Sequence, residues 1–138
     1  MWSHIKDHRY KINDVHQIPE MDIFLYNLIN QEEVIFLTEE INKPLPEDII
    51  GKIIITHHVP SQRLIHSFYK DNNYNQWFYC EMGKVIDKNR HKIKGWFYGH
   101  THQPLEEGRI EFGVNFYCNP IGYPYESEQT DVNKFIKI

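Results

Sequence analysis

Two short apolar runs in this chain each stop at histidine, and that pairing constrains the fold more than any other feature of the sequence. Gly51 to Thr56 (G-K-I-I-I-T) opens at glycine, is rich in β-branched residues and leads directly into His57-His58. It reads as a buried strand. Lys94 to Tyr98 (K-G-W-F-Y) reads as a second short apolar strand and leads into Gly99-His100-Thr101-His102. In layered α/β folds, ligands collect just beyond the carboxyl ends of strands, where loops vary over a rigid base. Imidazole binds transition metals as a neutral base near neutral pH. An H-x-H segment held extended directs both rings to one side, and Gly99 ahead of it lets the backbone bend out of the strand. The other histidines, His4, His8, His16, His66 and His91, read as ordinary surface or core residues.

The rest of the chain supplies a mixed α/β layout. Met1 to Gln17 is polar and reads as loop with at most a short strand. Pro19, Glu20 and Asp22 suit a helix N-terminus, and Ile23 to Asn30 follows with a partial apolar face. A second helical stretch, Glu32 to Ile41, places Val34, Leu37 and Ile41 on one side, and Pro44 and Pro46 stop it. Tyr74, Phe78, Met82 and Ile86 recur every four residues and predict a helix. Arg109 to Phe112, Val114 to Cys118 and Val132 to Ile136 read as strands, separated by turns at Asn119-Pro120 and Gly122-Tyr123-Pro124. Helices and strands first alternate and then give way to a run of strands, so the expected sheet is mixed with an antiparallel tail.

Bulk properties narrow the function classes. With 138 residues and neither repeat nor linker, one domain spanning 1–138 is expected. Hydrophobic residues make up 41% and charged residues 25%, the profile of a globular rather than a disordered chain. The net charge of -4 gives no electrostatic reason to expect nucleic acid or an anionic membrane. No apolar stretch reaches the roughly 18 residues of a membrane helix. Cys80 and Cys118 lie far apart and read as two reduced thiols, which points to a cytoplasmic setting. The chain contains no alanine, which weakens helix propensity throughout.

The segments I-I-T-H-H-V-P-S (Ile54 to Ser61) and W-F-Y-G-H-T-H-Q-P (Trp96 to Pro104) are similar to the last two metal motifs of calcineurin-like metallophosphoesterases. C-N-P-I-G-Y-P (Cys118 to Pro124) resembles the turn that follows G-H-x-H in a bacterial-type branch of that family, and Met1-Trp2 with Asp7-x-Arg9 resembles the segment just upstream. The resemblance implies an α/β/β/α four-layer sandwich with an active site built on two divalent ions of the Mn, Fe or Zn class. It makes His57 and His100 ligands of one ion and His102 a ligand of the other. His58 would support the ligands from behind, with Thr101 as a spacer. Metal-dependent hydrolysis of a phosphoester is the reaction it implies. Arg63 and His66, in the loop after His57, are candidates to face a phosphate.

The family's three aspartate-bearing motifs do not accompany these histidines. G-D-x-x-D and G-N-H-[DE] are absent, and Asp14-Val15-His16, formally a D-x-H, lacks the apolar strand that should precede it. A bridging carboxylate holds two dications together by offsetting their repulsion, which neutral imidazoles cannot do. The chain is therefore expected to carry the C-terminal half of the sandwich, to bind at most one ion by itself and to leave an apolar sheet face or edge uncovered. Three readings follow. A separately encoded N-terminal half or a self-association partner completes the enzyme; the chain is a non-catalytic remnant or interaction module; or the motifs are coincidental. The best unrelated competitor, a cupin-like barrel using His100, His102 and Glu106 with Gly113, needs a further histidine downstream, and none follows His102.

Overall fold

The computed structural model describes residues 17–105 and 109–123. The chain divides into two compact units, one ending at Glu40 and the other beginning at Ile41. Among the described residues there are two α-helices and a four-stranded mixed sheet.

Helix α1 spans Ile23–Asn42. Asp22 starts it by accepting the Leu25 N–H on its side chain at 2.7 Å. Two helices were expected here; a single one forms because no glycine or proline lies between Ile23 and Asn42 to break it. Its last carbonyls, from Ile41 on, are met by two lysine side chains of the same unit. Lys92 Nζ donates to the carbonyls of Ile41, Asn42 and Lys43 at 2.9, 3.1 and 3.2 Å. Lys52 Nζ donates to those of Ile41 and Lys43 at 3.3 and 2.9 Å. Carbonyls at a helix C-terminus have no partner within the helix, and cations suit that end. Lys92 is buried, and loss of solvent, with the nearby charges of Lys52 and Lys88, lowers its pKa.

Strands β1 (Lys52–Ile55), β2 (Ile93–Phe97), β3 (Ile110–Glu111) and β4 (Val114–Tyr117) assemble in the order β1-β2-β4-β3. β1 and β2 are parallel, β2 and β4 are parallel, and β3 is antiparallel to β4. The hairpin between β3 and β4 turns on Phe112 and Gly113, both with positive φ (52° and 75°), the pattern of the tight two-residue loops that match strand twist.

Register decides which residues are inside. Ile54 pairs with Trp96 and Trp96 with Phe116, and this row is buried, with Trp96 wholly inaccessible. Ile55 pairs with Phe97 and Phe97 with Tyr117 on the opposite face. There the Phe97 and Tyr117 rings stack at 4.8 Å, and Ile55 is 78% exposed. β1 was expected to be buried; at the edge of the sheet formed by the described residues it buries only Ile54, while Ile53 and Ile55 face outward.

The four-residue stripe from Tyr74 to Ile86 does not form one helix. Asn75–Trp77 is a 3₁₀ turn, and the chain then runs extended beside the loop after β1. Val59 donates to the Phe78 carbonyl, Cys80 to that of Val59 and Met82 to that of Pro60, so these groups are spent across segments rather than along a helix. Helix α2, Gly83–Asn89, starts only afterwards and buries Ile86. The expected strand Val132 to Ile136 lies outside the described residues, as do Asp14-Val15-His16, Glu106 and Pro124.

Candidate functional site

The parallel pairing of β1 with β2 carries the chain ends beyond both strands to the same edge of the sheet. Thr56 N–H donates to the Phe97 carbonyl and Gly99 N–H to that of His57, so the register continues past the strands into the histidine segments. His57 and His100, 43 residues apart, meet there with His57 Nε2 and His100 Nδ1 2.9 Å apart; one ring donates and the other accepts. His58 joins them, its ring centroid 5.2 Å from that of His57 and 4.7 Å from that of His100. Phe78 closes one side, its ring 4.7 Å from His100.

Thr56 holds this arrangement, a role that its residue type alone does not mark. Its hydroxyl accepts from the Trp96 indole N–H at 3.0 Å and donates to the His58 carbonyl at 2.9 Å, tying the histidine turn to the buried core. The only sequence signal for it is its place between an apolar run and the histidine pair. Phe78 had none.

The H-x-H segment is not extended. His100, rather than Gly99, takes the left-handed conformation (φ 60°), and Thr101 N–H returns to the Gly99 carbonyl at 2.7 Å. A non-glycine residue in that region stores strain, which persists only where its surroundings impose it. The bend sends the two rings to different neighbours. His100 faces His57 and His58, while His102 meets the Tyr123 ring edge-on at 4.5 Å. The Thr101 hydroxyl is buried with no hydrogen-bond partner among the described residues.

Burial, reinforced by the neighbouring histidines His58, His57 and His102, lowers the pKa of His100 to about 3. The ring is thus neutral at physiological pH, the form that binds metal. Two imidazole nitrogens bound about 2.0–2.1 Å from one ion at right or tetrahedral angles sit roughly 2.9–3.4 Å apart. The His57–His100 separation of 2.9 Å falls at the lower edge of that range. As placed, one ring's N–H points at the other's lone pair, so the pair would serve as two ligands only after that proton is lost and both nitrogens turn toward a common ion. Among the described residues, however, no group of three His, Cys, Asp or Glu side chains is placed to hold a metal ion, and a resident ion needs at least that many.

Arg63 and His66 have other surroundings. His66 caps the 3₁₀ turn Ser67–Tyr69, its Nδ1 accepting from Phe68 N–H at 3.2 Å. Arg63 lies over the Phe112 ring at 5.0 Å and lines a cleft whose walls include none of the site histidines. Burial, with the nearby Glu81, raises the thiol pKa of Cys80 to about 11, and burial raises that of Cys118 to about 12, so both thiols stay protonated near neutral pH. Among the described residues no helix is long and apolar enough to cross a membrane.

Comparison with protein-family models, with curated proteins and with solved structures finds no match to this chain.

Proposed function

We propose that this chain is a metallophosphoesterase-like domain that carries the histidine side of a metal site. The observation that supports it most is the meeting of His57 and His100 beyond the ends of two neighbouring parallel strands, with their ring nitrogens 2.9 Å apart. Ligand sites in α/β sheets form at such strand ends. His57 and His100 would contact an ion directly and His58 would buttress them. His102 would serve a second ion only after its ring leaves Tyr123. Carboxylate ligands would come from outside these 138 residues, within the same polypeptide or another, and phosphoester hydrolysis would require them.

The lack of a three-donor group among the described residues favours a second reading beside this one: a non-catalytic module that holds at most one ion weakly. One set of measurements separates the possibilities. Zinc and manganese titrations of the purified chain and of its H57A, H100A and H102A variants are paired with hydrolysis of an aryl phosphate. The expected result is one weakly bound ion, lost in H57A and H100A, with no hydrolysis by the chain alone. Unchanged metal binding in both H57A and H100A would overturn the ligand assignment. Robust hydrolysis by the chain alone would overturn the need for external carboxylates.

A further inference from the structure

A cleft of about 1010 Å³, separate from the histidines, gathers four cations from three parts of the chain: Arg63, Lys70, Lys84 and Arg109. In a chain of net charge -4 such a concentration is unexpected, and these cations outnumber the cleft's two carboxylates, Glu81 and Asp87. Both oxygens of Glu81 are occupied, accepting from the Ser61 hydroxyl and from the N–H groups of Gln62 and Gly83. Asp87 is paired with Arg90 at 2.8 Å. Arg109 reaches Glu111 at 3.4 Å and also donates to the Arg63 carbonyl. No carboxylate lies within ion-pair distance of Arg63, Lys70 or Lys84 among the described residues.

The cleft is also shaped. Phe112 holds a left-handed backbone (φ 52°), an unusual conformation for a bulky residue, and its ring lies beneath the Arg63 guanidinium. Gly83 makes room for that ring: a Cβ there would stand 2.7 Å from both Phe112 Cζ and Glu81 Oε1. Arg109 binds the backbone of Arg63 and so joins the loop after β1 to the β3–β4 hairpin. A guanidinium oriented on an aromatic face, in a cleft that two lysines also line, suits the adjacent charged oxygens of a phosphate chain. The volume exceeds that of an inorganic anion and matches an organic molecule of nucleotide size.

We propose that this cleft binds a small ligand bearing a di- or triphosphate group, through Arg63, Lys70 and Lys84. The proposal is independent of the histidine site, and chelator in every sample keeps the two apart. Calorimetric titrations with pyrophosphate, tripolyphosphate and ADP are made on the full chain at low and moderate salt, for wild type, K70E, K84E and H100A. The expected result is saturable 1:1 binding that weakens with salt, falls about tenfold or more in each lysine variant and is unchanged in H100A. Tighter binding of ADP than of pyrophosphate would identify an organic phosphate as the ligand; equal binding would identify the free polyphosphate chain. Binding that K70E and K84E both leave intact, or no binding of any probe, would overturn the proposal. So would a single-stranded RNA that displaces ADP at lower concentration, which would make the cleft a nucleic-acid surface.

Discussion

Replacing Lys92 with methionine keeps the length of the side chain while removing the ammonium group that serves three helix-end carbonyls. A summed loss of three charge-assisted hydrogen bonds would be large, but the geometry says otherwise. Lys52 already donates to two of the three acceptors, the carbonyls of Ile41 and Lys43, so only that of Asn42 loses its sole ammonium donor. Asn42 is itself exposed, so water replaces part of the loss. Burying methionine also avoids the cost of burying a charge. Lys92→Met is therefore expected to cost about 1–2 kcal/mol, and Lys52→Met less, because Lys92 covers both of its acceptors. In the double variant all three carbonyls lose their ammonium donors, and the loss should exceed the sum of the single ones by about 1–2 kcal/mol. Urea unfolding followed by the fluorescence of the buried Trp77 and Trp96 measures this, with about 1 M between the midpoints of the double variant and the additive expectation. Strict additivity would refute the shared-acceptor argument, and a Lys92→Met variant as stable as wild type would refute the role of Lys92 in ending α1.

Thr56→Val removes the acceptor for Trp96 and the donor to His58 without changing shape; it should cost about 1–2 kcal/mol and weaken zinc binding, and Thr56→Ser should restore both, as read by urea unfolding and zinc titration. For His100 the folded-state pKa of about 3 lies below the ordinary value of 6.5. Between these values the unfolded chain holds more protons than the folded one. Its stabilising contribution is then complete above pH 6.5 and is lost as pH falls toward 3, with a slope of at most about 1.4 kcal/mol per pH unit. Urea midpoints in chelator between pH 7 and 4 should fall less steeply for His100→Gln than for wild type, and an NMR titration should find the His100 ring still neutral at pH 5.

The strands were legible because β-branched and aromatic runs bounded by glycine have few alternatives, and the histidines at their ends marked the site edge. What the sequence hid was set by distant partners. The stripe from Tyr74 to Ile86 has helical spacing, yet Val59 and Pro60 take up the hydrogen bonds of its middle. Gly99 looked like the bend, but His100 is the residue in the left-handed region, so the two rings of H-x-H part company. Arg63 was singled out for phosphate on its nearness to His57 in sequence, whereas its guanidinium is oriented by Phe112, 49 positions away. The cleft has no motif, since Lys70, Lys84 and Arg109 come from segments that only the fold unites.

The parallel pairing of β1 with β2 also fixes when the histidines can meet during folding. The β3–β4 hairpin closes over two residues and can form within about 1–10 μs. β1 and β2 must instead close a loop of dozens of residues before Ile54 finds Trp96, and that entropy is spent before any contact repays it. The His57–His100 contact lies at the far end of this slow step. Its formation in a refolding experiment would time the arrival of the long-range topology, which makes the site a natural clock for the last stage of folding.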